Sequence, residues 1–263
     1  MKPSKPSLTN LLASLFSGLP ASPLARLYQQ AHTQDCFLCG TASPAPLCTD
    51  CRADLPRLPA ALCPACALPA NAGQMCGRCL RDEPAYDATH AALAYAYPLD
   101  GAIQAFKYRG ALGLAPTFAA LMDEGLEPPP GTAIDPLAGI DLLLPTPLSN
   151  AHLAERGYNQ AHELARALAR RRDLALDPLA LIRTRQGPAQ AELPWKERAR
   201  NIRGAFAATR RFDGLHVAVI DDVMTTGATL GEIAKTLKAA GAARVSNWVL
   251  ARTLPAEMAP VRS

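Results

Sequence analysis

Val217-Ala218-Val219-Ile220-Asp221-Asp222-Val223-Met224-Thr225-Thr226-Gly227-Ala228-Thr229-Leu230 passes from apolar to acidic to hydroxyl-rich within fourteen residues. The spacing predicts a buried strand over 216–220, two carboxylates at its end, a short turn, and a helix over 229–240 with Gly241 as its stop. Loop amides, threonine hydroxyls and a helix N-terminus together make a cradle for a phosphate. Gly227 gives the backbone freedom where the chain must wrap an anion. The carboxylates suit ribose hydroxyls or a Mg²⁺ ion. An ordinary strand-turn-helix has no need of two adjacent acids and three threonines in five residues.

Outward from this stretch the chain alternates strands and helices. Strands are expected over 88–97, 141–145, 179–184 and 244–251. Helices are expected over 99–109 and 112–126, and as one long helix after Ser149 that runs through Arg156-Gly157-Tyr158-Asn159-Gln160 to Arg170-Arg171-Arg172. Cations at the last turn of that helix suit its dipole. Glu127-Pro128-Pro129-Pro130-Gly131 is a loop. The alternation predicts an α/β fold, a parallel sheet flanked by helices, with ligands beyond the carboxyl ends of the strands.

All eight cysteines lie within residues 36–79, as the pairs Cys36/Cys39, Cys48/Cys51, Cys63/Cys66 and Cys76/Cys79. Each Cys-x-x-Cys pair brings two thiolates to one tetrahedral metal, and two pairs close its shell. Four pairs suffice for two structural Zn²⁺ ions. Sequential pairing is the simplest partition; interleaved pairing, or a single ion with two pairs left over, stay open. A disulfide framework needs an oxidising compartment, and a redox centre needs one such pair rather than four. A closed all-thiolate shell leaves no place for substrate. It links metal binding to the folding of a segment with little core of its own.

The domains are read as a weakly ordered tail over 1–33, a zinc-ribbon module over 34–82 and a larger α/β domain over 86–254. The chain has 263 residues, 49% of them apolar, and a net charge of +4. That charge fits an anionic ligand without demonstrating a nucleic-acid partner. No apolar run reaches the roughly 20 residues that span a bilayer. Lys2, Lys5 and Leu11–Phe16 read as a short amphipathic helix in the tail, which leaves peripheral membrane association open, in a cytoplasmic protein.

The segment over 217–230 resembles the phosphoribosyl pyrophosphate (PRPP) loop of type I phosphoribosyltransferases. With the cysteine pairs, Phe106-Lys107-Tyr108, Leu144-Pro145-Thr146-Pro147-Leu148, Arg156-Gly157-Tyr158-Asn159-Gln160, Gln190, Glu197-Arg198, Asn201 and Gly204-Ala205-Phe206, the chain is similar to the ComF family over residues 34–254. Thr146 stands where that family usually has an aliphatic residue. The resemblance implies a type I phosphoribosyltransferase-like fold with an N-terminal zinc-ribbon module. It also implies a part in handling single-stranded DNA during natural transformation, beside other proteins of the competence machinery.

If the chain is a transferase, Asp221 and Asp222 hold the ribose hydroxyls, directly or through Mg²⁺, and Thr225, Thr226, Gly227, Ala228 and Thr229 hold the 5′-phosphate. The pyrophosphate lies over Thr146–Ser149, with Arg156 and then Lys107 as candidate cations. Residues 186–206 form a candidate hood carrying Trp195, Arg198 and Arg203. His152 and His162 have no evident carboxylate partner and read as structural. The acceptor is not legible. The alternative is a non-catalytic nucleotide or single-strand-binding accessory protein that retains the phosphate site, with 170–172 and 196–203 as its basic contacts. A zinc-finger regulator fits poorly, because the cysteine module has no basic recognition helix.

Overall fold

The computed structural model describes residues 33–71, 73–126, 138–184 and 202–255. The chain folds as two compact units, with the boundary between Thr49 and Asp50. The described part of the first unit is a knuckle. Strands β1 (Gln34–Asp35) and β2 (Ala42–Ser43) pair antiparallel. Between them the amide of Gly40 donates to Cys36 O, 2.8 Å, and Gly40 takes a φ of 73°.

The second unit is built on a four-stranded sheet. Its strands are β3 (Ala88–Ala94), β4 (Leu142–Pro145), β7 (His216–Met224) and β8 (Arg244–Arg252), in the order β3-β8-β7-β4, and every neighbouring pair is parallel. Residues 216–220 of β7 are buried without interruption, as expected of a strand covered on both faces. Successive side chains of a strand point to opposite faces. Val217 and Val219, with Leu144, Val245 and Val249, join Leu230, Ile233 and Leu237 of helix α7 (Ala228–Ala239) in one core, and Cys63, Cys66 and Cys79 belong to that same core. Ala218, Ile220 and Leu143 are buried outside it.

Between β3 and β4 the chain forms α3 (Leu99–Tyr108), a 3-10 turn over Leu112–Leu114 and α4 (Ala115–Glu124). The short helices α1 (Thr49–Ala53) and α2 (Gly77–Arg81) carry Cys51 and Cys79, the second cysteines of the second and fourth pairs. The fold expected from the alternation is the fold observed.

Three local readings are corrected. The single helix after Ser149 is two: α5 (Asn150–Arg156) and α6 (Gln160–Arg172). Gly157, at φ 77°, ends the first as a left-handed cap, and Asn159 starts the second by accepting from the amides of Ala161 and His162. The strand expected over 216–220 runs on to Met224, so both acids lie inside β7, where Asp221 pairs with Val249. The strand expected over 179–184 is β5 (Leu181–Arg183), which pairs antiparallel with β6 (Phe206–Ala208) in a separate ribbon.

Candidate functional site

Lys107 occupies the last turn of α3 and reaches Asp222 on β7, with Nζ 2.9 Å from Oδ1. Both side chains are largely buried, 22% and 9% exposed. Burial by itself lowers the Lys107 ammonium; the charges of Asp222 and Asp221 outweigh it and hold Lys107 above its ordinary value. Asp221 is pushed up to about 7 by burial and by its charged neighbour Asp222; Lys107 and the amide of Asp222 oppose that rise. The Asp222 amide donates to Asp221 Oδ1, 3.0 Å. The two acids therefore differ: Asp222 carries a fixed counter-ion, and Asp221 changes charge near neutral pH.

Beyond the acids the turn is shaped by Thr226 and Gly227. Thr226 Oγ1 accepts from the Ala228 amide, 3.2 Å, and Gly227 sits at φ 80° as the N-cap of α7. A Cβ on Gly227 would lie 2.6 Å from Met224 Cε and 2.8 Å from Tyr86 Oη, so it could enter only if both side chains shifted. A cavity of about 50 Å³ is lined by Asp221 and residues 223–230. One acid and the whole turn thus face a shared space, at the end of a helix whose first-turn amides lack intrahelical partners. A wider groove of about 590 Å³ flanks Thr226–Ala228 on the side of Arg78 and Tyr86.

The segment Arg156–Gln160 braces Lys107 from behind. Tyr158 Oη donates to Phe106 O, and Gln160 Nε2 donates to Lys107 O, 3.1 Å. Arg156 Nη1 donates to Gln160 Oε1, 3.2 Å, and its guanidinium lies 4.7 Å from the centroid of the Tyr108 ring. Asn159 Nδ2 donates to Thr146 O, 3.0 Å, while its oxygen caps α6. Two motifs quoted separately from the sequence are therefore one clamp, which sets the height of Lys107 over β7. Arg156, read as the leading cation for pyrophosphate, is engaged with Tyr108 and Gln160. Lys107, read second, stands at the acids. Thr146 is buried, its amide donates to Ile220 O, 2.9 Å, and its hydroxyl makes no hydrogen bond of normal geometry among the described residues. Ser149 Oγ caps α5 through the His152 amide and meets His152 Nδ1 at 3.1 Å, a structural role for that histidine. Gln190, Trp195, Glu197, Arg198 and Asn201 lie outside the described residues; Arg203 is described and exposed.

The cysteines gather as two groups, Cys36/Cys39/Cys48/Cys51 and Cys63/Cys66/Cys76/Cys79, each with its sulfur atoms within 4.8 Å of one another. This is the sequential partition. Tetrahedral thiolates about 2.3 Å from Zn²⁺ stand about 3.8 Å apart; Cys39 and Cys48 Sγ are 3.7 Å apart, Cys66 and Cys76 Sγ 3.6 Å. Against the effect of burial, backbone amides led by Cys48 bring Cys36 down to about 6, and those led by Cys76 bring Cys63 down to about 7. Burial and the neighbouring thiols push Cys79 up. Four thiols this close cannot all ionise without a cation among them, and the donor set fits structural Zn²⁺.

Sequence reasoning missed Arg252, Arg78 and Tyr86, which approach the turn from the side of the second cysteine group. Arg252 carries no sequence signal beyond a charge at the end of an apolar strand, and burial of that charge is visible only in the fold.

Comparison with known proteins agrees with this anatomy. Residues 28–80 match a double zinc ribbon domain and residues 153–261 a phosphoribosyl transferase domain. The DNA utilization protein YhgH of Salmonella typhi is 35% identical over 195 residues, covering 73% of this chain and 85% of that protein. Competence protein F of Haemophilus influenzae is 34% identical over 182 residues, 68% of this chain and 79% of the relative. The chain belongs to the ComF family. Competence protein ComFC of Bacillus subtilis, 28% identical, covers 79% of this chain and 84% of its own. Among solved structures, a glutamine PRPP amidotransferase from B. subtilis shares 18% identity over 51% of this chain and 25% of that longer chain, at a TM-score of 0.33. A likeness at that level carries no argument. The fold of this ComF-family chain rests on the domain match, the parallel sheet and the cysteine clusters. Among the described residues no helix is long and apolar enough to cross a membrane.

Proposed function

We propose that this chain binds PRPP together with Mg²⁺ at residues 221–229 and serves DNA uptake or processing as a phosphoribosyltransferase-like protein. The observation that carries the reading is the shared lining of one cavity by Asp221 and the Thr225–Leu230 turn. The turn amides and the hydroxyls of Thr225, Thr226 and Thr229 hold the 5′-phosphate. Asp221 and Asp222 take the ribose hydroxyls, and Asp221, the acid without a fixed counter-ion, is the better Mg²⁺ ligand. When bound, Mg²⁺ neutralises the leaving diphosphate. Lys107 pairs with Asp222, so its charge stands beside the acids that take the ribose hydroxyls. In transfer, the bond from C1′ to the pyrophosphate oxygen breaks as an acceptor nucleophile bonds C1′ from the other face. Cysteines kept reduced as metal ligands support a cytoplasmic location.

Calorimetry tests the site. Wild-type protein is expected to bind PRPP only with Mg²⁺ present, and Asp222→Ala or Thr226→Ala to weaken binding at least about tenfold, a difference of about 1.4 kcal/mol. Unaltered affinity in both variants would remove the assignment.

The names of the relatives refer to DNA utilization and competence rather than to a transfer reaction. This favours a second reading, a non-catalytic accessory protein whose phosphate site takes nucleotide or single-stranded DNA. The groove beside the turn gives it little support. Arg78, Arg81, Arg203 and Lys235 there are nearly balanced by Asp82, Glu83 and Glu232, where a polyanion track needs a clear positive excess. Single-strand binding across a salt series separates the readings: a steep fall with salt supports the second, and a flat response excludes backbone phosphate as the partner.

A further inference from the structure

Arg252 closes β8, is 1% exposed, and takes no part in the ligand contacts assigned above. Its Nε donates to Cys66 O, 2.8 Å, and its Nη1 donates to Met224 O, 2.8 Å, and to Thr225 O, 2.5 Å. Arg78, next to Cys79, donates from Nη2 to Thr226 O, 2.7 Å. Three consecutive carbonyls, at the junction where β7 becomes the turn, are held by two guanidinium groups. One of these is anchored on a carbonyl of the second knuckle, and the other is part of that knuckle.

Peptide units are planar and trans, so each N–H points opposite to the C=O of the same unit. Holding the carbonyls of 224, 225 and 226 on the guanidinium side fixes the amides of Thr225, Thr226 and Gly227 toward the other side. A cation on the carbonyl also polarises the peptide unit and strengthens its N–H as a donor.

We propose that Arg252 and Arg78 are positioning residues: they aim the amides of residues 225–227 at a phosphate monoester and suspend the turn from the second metal knuckle, so that metal at Cys63/Cys66/Cys76/Cys79 and phosphate at the turn bind cooperatively. The proposal rests on the ribose-phosphate reading of the turn. Its geometric part stands apart from that reading.

The test uses the full-length, zinc-loaded protein with ribose 5-phosphate as probe. Arg78 is exposed, so Arg78→Ala leaves the core untouched; Arg252→Lys keeps the charge but cannot span the carbonyls. Amide hydrogen exchange at residues 225–227 is expected to quicken about tenfold in Arg78→Ala and more in Arg252→Lys, with residues 217–220 of β7 unchanged. Ribose 5-phosphate affinity is expected to fall by a similar factor, with zinc content at the wild-type level and partial recovery in Arg78→Lys. By reciprocity, saturating ribose 5-phosphate tightens zinc at the second knuckle in competition titrations of the wild type, and less so in Arg252→Lys. Unchanged turn exchange in Arg78→Ala would overturn the proposal even where Arg252→Lys fails to fold. Equal zinc affinity with and without the probe would overturn the cooperativity. If the wild type binds no ribose 5-phosphate while the exchange result holds, the ribose-phosphate reading fails and only the aiming of the amides survives.

Discussion

The two cysteine knuckles share a ligand set and differ in everything around it. In the first, Cys39 is exposed and Cys48 and Cys51 are half-buried. Its turn carries Phe37, 42% exposed, and Gly40, with nothing within 4 Å of where a side chain would start. In the second, Cys63, Cys66 and Cys79 are buried with Ala65, Val217, Val219 and Leu230. The contrast comes from the residues between the ligands. Leu62, Ala65, Ala67 and Leu68 give the second knuckle an apolar face that the sheet can cover. The first has Leu47 and Cys36 buried, but neither belongs to the core that the second knuckle shares with the sheet. Equal spacing of cysteines therefore says what each knuckle binds, and its neighbours say what that binding holds together.

Ligand removal should expose the difference most strongly. Cys79→Ser opens a metal site inside the main core, and a structural Zn²⁺ contributes on the order of 10 kcal/mol, comparable to the whole stability of a domain. The sheet is expected to unfold, or to melt tens of degrees lower. Cys39→Ser should empty the first site and leave the melting of the sheet within a few degrees of wild type. Circular dichroism melts with zinc analysis would show it, and equal losses in the two variants would break the contrast.

A smaller effect separates the glycines. Gly227→Ala meets a positive φ and two colliding atoms, and should cost about 2–3 kcal/mol. Gly40→Ala meets the positive φ alone and should cost about 1 kcal/mol. Tyr86→Phe removes one colliding atom and should return part of the Gly227→Ala loss in denaturant titrations. No recovery would mean that Tyr86 does not press on the turn.

A pH-dependent effect lies on the side of the turn that faces Asp221 rather than the cysteines. The folded-state pKa of Asp221, about 7, stands above its unfolded value near 3.9. Between those values the folded chain binds the extra proton, so stability falls as pH rises from about 4 to 7 and is level above. Asp221→Asn should remove that slope, melting above wild type at pH 8 and level with it at pH 4. The second knuckle should hold its zinc equally in both proteins at pH 8. A variant no more stable than wild type at pH 8 would show that burial of Asp221 carries no penalty.

Much of this is legible in the amino-acid sequence alone. The apolar run 217–220 and the alternation around it point to a parallel sheet, and the cysteine spacing supplies thiolates enough for two metal shells while leaving their partition open. What escaped was set by tertiary partners. The helix break at Gly157 had a local signal, a glycine two residues before an Asn that can cap, but the apolar periodicity on both sides masked it. The continuation of β7 through Asp221 and Asp222 depends on pairing with Val249 and Ala251, which no local propensity encodes. β6 was missed because its partner β5 lies more than twenty residues earlier. At the site, the stacking of Arg156 on Tyr108 and the pairing of Lys107 with Asp222, held by bonds from Tyr158 and Gln160 to the carbonyls of Phe106 and Lys107, join distant segments and carry no local signal.

The reach of Arg252 to Cys66 spans 186 positions. During synthesis the second knuckle emerges from the ribosome early, able to take its metal, and then waits for almost the whole remaining chain before the arginine that docks it appears. At about 5–20 residues per second that interval is about 10–40 seconds. Metal capture at the second knuckle can therefore precede the finishing of the turn by that interval.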